Sequence, residues 1–101
     1  MSEPTLEQWN LQTMVLMHAL LGSISSNFRM VTLRWKIDQW VIDFILEKEN
    51  TEDFEEISEI MEDYDSLQEK YIKFMSIITV TDAPIRMPEF PERAIFRRKE
   101  I

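Results

Sequence analysis

The sequence predicts an α+β fold in which two helices cover a small, mostly antiparallel sheet of three to four strands, in the order α-β-β-α-β. Three observations predict it. Apolar residues recur at the 3.6-residue period of a helix between Leu6 and Leu20. From Phe28 the period falls to 2 and stays there through two segments separated by the polar pair Asp38-Gln39. The helical period then returns at Phe54 and runs to Leu67. At 101 residues the chain reads as one domain, 1–101, with an irregular proline-containing segment at 82–101.

Each element follows from local chemistry. Thr5 or Ser2 caps the first helix, whose apolar stripe is Leu6, Trp9, Leu11, Val15, Leu16 and Ala19, widened by Met14, Met17 and Leu20. Gly22, the only glycine, stands where a left-handed helix end is expected, because glycine alone takes positive φ without a Cβ penalty. Val31, Leu33, Trp35 and Ile37 alternate with Met30, Thr32, Arg34 and Lys36, which predicts a strand with one wet face. Trp40, Ile42, Phe44 and Leu46 continue the alternation beyond Asp38-Gln39, so a hairpin is expected. Asn50 or Thr51 caps the second helix, with Asp53 as a variant capping box and Phe54, Ile57, Ile60, Met61, Tyr64 and Leu67 as its buried stripe. Tyr71 to Thr81 reads as a third strand, apolar on both sides and so suited to the middle of a sheet. Pro84, Pro88 and Pro91 bar a long element beyond it, although Ala94 to Phe96 is compatible with a short edge strand.

Composition limits the function. Hydrophobic residues make up 45% of the chain and charged residues 30%, which suits a packed domain and is too apolar for an acidic disordered tail. The absence of cysteine excludes disulfides, thiol catalysis and thiolate metal sites. No stretch is long and apolar enough for a membrane helix, and Glu3 and Glu7 replace the basic start of an export signal. A cytoplasmic protein that contacts neither membrane nor nucleic acid directly is expected.

The strongest signal is the charge of Glu47 to Glu69, which holds eleven carboxylates against the single base Lys48. A chain of net charge -8 therefore carries a segment of net -10. Like charges four residues apart, such as Glu52/Glu56, Glu55/Glu59 and Glu59/Asp63, each cost a few tenths of a kcal/mol on a helix. A merely solvated face would mix the signs, so a docking surface for a basic partner is the better reading. Glu52, Glu55, Glu56, Glu59, Glu62 and Asp63 are its candidate contacts, joined by Trp40 beside the hairpin turn. Metal binding is the weaker reading, because the segment lacks the glycine-turned loop of a calcium hand.

No catalytic residue stands out. His18 is the sole histidine, no serine lies in a nucleophile elbow, and no glycine-rich loop is present to hold phosphate. No cofactor is expected. Arg97, Arg98 and Lys99 read as a frayed end or as partners of the acidic helix. The apolar stripe of the first helix also leaves a homodimer open.

Two strings carry a family resemblance: ALLGSISSNFRMVTL at 19–33 and EDFEEISEIMEDYDSLQ at 52–68. Between Leu16 and Val80 the chain resembles the small immunity proteins encoded beside polymorphic bacterial toxins, including those of contact-dependent growth inhibition. The Leu-Leu-Gly of that pattern falls on Leu20, Leu21 and Gly22. Its Ser-x-Asn-x-Arg run falls on Ser25, Asn27 and Arg29, with Ser26 at the variable position. The resemblance implies a cytoplasmic antidote without catalysis. Such a protein binds the carboxy-terminal toxin domain of its own system, often a nuclease. The alternative is an acidic adaptor or regulator of another basic protein, nucleic-acid-binding proteins being one such class.

Overall fold

In the computed structural model, which describes residues 3–100, the elements are α1 (Leu6–Leu20), β1 (Phe28–Lys36), β2 (Gln39–Leu46), α2 (Thr51–Ser66), β3 (Phe74–Val80) and β4 (Arg93–Arg97). Thr5 caps α1 reciprocally with Gln8: its hydroxyl accepts from the Gln8 N–H and its own N–H donates to the Gln8 side chain. The chain leaves α1 through a type II turn. Leu21 sits at φ -58, ψ 124, Gly22 at φ +77, and the Ser23 N–H donates to the Leu20 carbonyl at 3.0 Å. A Cβ at Gly22 would meet nothing within 4 Å, so the need for glycine is conformational alone. Gly22→Ala is expected to cost about 1–2 kcal/mol and Gly22→Val more, whereas Gly22→Asn, which tolerates the left-handed region, should recover part of the loss. Thermal unfolding of the three variants checks that order.

β1 and β2 form the expected hairpin, with Trp35 opposite Trp40 and Lys36 opposite Gln39. Its two-residue loop is Ile37-Asp38, one position earlier than the polar pair suggested, and both residues have positive φ (51° and 65°) as a type I′ turn requires. Pairing fixes this register because a one-residue slip would turn every core side chain outward. Ile37 is 79% exposed and β-branched, an unfavourable occupant of that conformation. Replacing Ile37-Asp38 by Asn-Gly is expected to raise stability by roughly 1–2 kcal/mol, measured by denaturant unfolding.

The sheet order is β3-β2-β1-β4. β1 is antiparallel to β2 and to β4, but β2 and β3 are parallel, with Trp40 opposite Phe74 and Leu46 opposite Val80. The sheet is therefore mixed, not mostly antiparallel. α2 is the reason: its 16 residues carry the chain back along β2, so β3 starts beside the start of β2. β3 is also an edge strand, not a central one. Its two-sided apolarity does not reflect burial, since Met75, Ile78 and Val80 are about two-fifths exposed (40%, 38% and 42%). β4 supplies the fourth strand, so that 82–92 and 98–100 are the described residues of the carboxy-terminal segment without helix or strand.

The core lies between the helices and the inner face of the sheet. Val31, Leu33, Ile42, Phe44 and Leu46 meet Leu16, Ala19 and Leu20 of α1 and Ile57, Ile60 and Tyr64 of α2. α1 buries a narrower face than its stripe implied, and Leu6, Leu11, Met14 and Met17 remain exposed. Leu67 likewise falls outside α2's contact. The outer face of β1 is not wet: Met30 and Thr32 are buried. Residues 86–92 face this surface, and with Met30, Thr32, Arg34, Asp43, Ile45 and Thr79 they line an open cleft of about 580 Å³. Within it Asp43 accepts from Thr32 at 2.9 Å and pairs with Arg34 at 2.7 Å.

Candidate functional site

The acidic helix α2 begins at Asn50, whose side chain accepts the Asp53 N–H at 3.0 Å. Asp53 itself turns inward. It is buried, and its two oxygens accept from Ser25 Oγ and Asn27 Nδ2, each at 2.8 Å. With Ile57, Ile60 and Tyr64 also inward, helical spacing turns Glu52, Glu55, Glu59, Glu62 and Asp63 to solvent, and Glu56 stands half-buried at the margin. The helix contains no basic residue. Among the described residues no ion pair uses an α2 carboxylate; the pairs involve Asp43, Glu47 and Glu100 instead. The last turn carries no base, so Asp63 and Asp65 face the negative end of the helix dipole uncompensated. The six acidic candidates thus form one continuous, unneutralised surface.

The flanks of α2 are oriented by a buried polar cluster. Tyr64 donates its hydroxyl to Gln12 Oε1, and Gln12 and Gln68 exchange side-chain hydrogen bonds at 2.9 and 2.8 Å, tying α2 to α1. Burial pushes the Tyr64 phenol above its ordinary range, which keeps it a neutral donor. α1 in turn is held on the β4 side, where Arg93 donates to Asn10 and Thr13 and lies 5.6 Å over the Trp9 ring. Gln68 therefore marks the α1 flank of α2. By helical spacing the flank away from α1 carries Glu52, Glu56, Glu59 and Asp63, and α2 meets β3 through Tyr64, edge-to-face with Phe74 at 5.1 Å.

Trp40 does not join this surface. It is only 5% exposed, in edge-to-face contact with Trp9 (4.9 Å) and Trp35 (5.2 Å). Its place beside the turn suggested partial exposure, but its side chain points to the helices and is covered by α1. Trp40 is a core residue.

The residues of the Leu-Leu-Gly and Ser-x-Asn-x-Arg strings serve the frame. Leu20 is buried, Leu21 and Gly22 make the turn, and Ser25 and Asn27 hold Asp53. Asn27 also clips the start of β1 to the end of β2: its side chain bonds the Lys48 carbonyl (2.8 Å) and N–H (2.9 Å), and its carbonyl accepts from Glu47 (3.0 Å). Arg29 is 4% exposed and donates to the carbonyls of Thr81 (2.7 Å) and Ala83 (2.8 Å), while pairing bidentately with Glu100. Arg98 reaches Glu47, Glu100 and the Ser26 carbonyl. Of the basic end, Arg98 thus pairs with Glu47, the first carboxylate of the acidic segment, which precedes α2. This bracket of Glu47, Arg98 and Glu100 was not legible in the sequence, because nothing local marks which acid a distant arginine will meet.

The Glu100 carboxyl is held down to about 2, first by its hydrogen bond from Arg29 and then by Arg98. A depressed carboxylate stabilises the folded state above its ordinary value of 4.5, and that contribution fades as pH falls from 4.5 toward 2. A carboxyl NMR titration should give Glu100 a midpoint near 2, with carboxy-terminal amides exchanging faster as it protonates. A midpoint near 4.5 would contradict the bracket.

His18 is exposed in the last turn of α1. Among the described residues no group of three or more metal-ligating side chains converges, and no helix is long and apolar enough to cross a membrane. A comparison with curated proteins finds no match. The family model of the MafI2 immunity protein, however, matches residues 10–100. The match runs from within α1 through β4 and takes in the acidic helix, the turn at Gly22 and the Arg29 bracket. It extends beyond both ends of the resemblance between Leu16 and Val80 and narrows it. The chain belongs to the MafI2 immunity protein family.

Proposed function

We propose that the protein neutralises the carboxy-terminal domain of its cognate toxin by presenting α2 to a basic, nucleic-acid-cleaving surface in the cytoplasm. Membership of an immunity family makes a toxin the partner and inhibition the task. The observation that carries the finer reading is the row Glu52, Glu55, Glu56, Glu59, Glu62 and Asp63, which no base within the described residues neutralises. A nuclease must offset the charge of successive phosphates, so its substrate groove is basic. Carboxylates on a rigid helix set against that groove would occupy the phosphate positions and exclude the substrate. Opposed fields speed the encounter, while slow release depends on a few desolvated anchors.

The test is cleavage of RNA and DNA by the carboxy-terminal domain of the protein encoded immediately upstream, with the immunity protein added stepwise. Cleavage that stops near one equivalent is expected. A toxin domain that harms cells but cleaves neither nucleic acid would overturn the nuclease reading.

A further inference from the structure

β3 presents an open strand edge beside the acidic helix, and its backbone parity shows which groups are free. The Lys73 carbonyl accepts from Trp40 and the Thr81 N–H donates to Leu46, so the odd-numbered residues between them turn their N–H and C=O toward β2. Phe74, Ser76, Ile78 and Val80 consequently turn theirs outward. The pairing with β2 runs from Phe74 to Val80 without a bulge, and the strand FMSIITV contains no charge and no proline. Such an edge lacks the charge, the proline and the bulge that normally discourage pairing. β4, the other edge, is shorter, bulged against β1 between Val31 and Thr32, and bounded by Arg93 and Arg97.

We propose that an extended, basic segment of the cognate toxin domain adds to β3 as a fifth strand, an inference that rests on the proposed function above. Outward N–H and C=O groups would supply the hydrogen bonds, and the part-exposed Ile78 and Val80 an apolar floor. Tyr64 packs α2 against Phe74 of β3, and helical spacing puts Glu52, Glu56, Glu59 and Asp63 on the flank of α2 away from α1, so basic side chains alternating along the added strand would meet carboxylates. The same charge decides against a second copy. Antiparallel pairing of two β3 edges would bring two uncompensated acidic helices toward one another.

The test uses the toxin's purified carboxy-terminal domain and two measurements. Ser76 turns its N–H away from β2, so Ser76→Pro removes one outward donor without breaking the ladder. It should lower affinity for the toxin domain about ten-fold, the loss of one hydrogen bond and a distorted neighbour, with little change in thermal unfolding, while Ser76→Thr stays near wild type. Amide exchange on the unaltered protein is independent of any variant. Ser76, Ile78 and Val80 should exchange fast when free and become protected in the complex, whereas Met75, Ile77 and Thr79 should be slow in both. Tight inhibition with no protection gained along β3 would overturn strand addition and leave the proposed function standing. Protection in the free protein that grows with concentration, together with a dimeric mass, would assign the edge to a second copy and overturn the proposal. Absence of binding by the toxin domain would overturn both readings.

Discussion

Reversing Glu55, Glu59 and Glu62 together to lysine is expected to slow capture of the toxin domain by about ten- to a thousand-fold at low ionic strength. All three side chains are exposed on α2, and none makes an ion pair or hydrogen bond within the described residues, so their replacement leaves no buried partner unsatisfied. The fold should survive. Stability should even rise slightly, because the change turns the like-charged pairs Glu59/Asp63, Glu52/Glu55 and Glu62/Asp65 into opposite-charged ones, while positions 55 and 59 stay like-charged. Stopped-flow association over a range of salt separates the effects: the variant should lose most of the salt dependence seen in the parent. Unchanged association kinetics at low salt would sink the electrostatic account of capture.

Trp40→Ala is expected to cost about 3–5 kcal/mol, the usual range for emptying a large aromatic site in a core. Its ring sits between Trp9 and Trp35 at edge-to-face distances, so truncation leaves a cavity and removes two aromatic contacts. Against the 5–15 kcal/mol that holds a typical domain together, the variant should be barely folded at room temperature. Trp40→Phe should be milder and, once folded, should bind the toxin domain as the parent does. Chemical denaturation and titration of the two variants distinguish a core residue from a contact. If Trp40→Phe kept full stability but lost affinity, the ring would have to be part of the binding surface.

What could be read from the sequence was what local rules determine. Both helices, the hairpin, the Asn50 cap and the positive φ at Gly22 each follow from spacing or from backbone sterics within a few residues. The acidic face was legible for the same reason: helical periodicity alone separates Ile57, Ile60 and Tyr64 from the carboxylates around them. β3 was misplaced because an apolar strand buried on two faces and an apolar edge strand look alike in sequence. The available clue was connectivity, since a helix of α2's length between two strands favours a crossover and a parallel pair. The burial of Met30 and Thr32, like the pairing of Arg29 with Glu100, depends on where residues 82–100 return to the sheet. Contacts at such separation leave no periodic trace. The turn at Ile37-Asp38 was set by strand register against the preference of its own residues.

The proposed division of labour has the Ser25, Asn27 and Arg29 hydrogen bonds hold the frame while α2 and β3 meet the partner. It explains why Asp53, alone among the α2 acids, is buried and hydrogen-bonded to the frame. It also explains why the Leu-Leu-Gly and Ser-x-Asn-x-Arg residues of the first string need not be the residues that select a particular toxin.

The most direct measurement is a calorimetric titration of the protein with the carboxy-terminal domain of the toxin encoded immediately upstream, repeated at low and at high salt. Neutralisation through the acidic face requires tight one-to-one binding whose affinity falls steeply as salt rises. Absence of binding, or tight binding indifferent to salt, would contradict it.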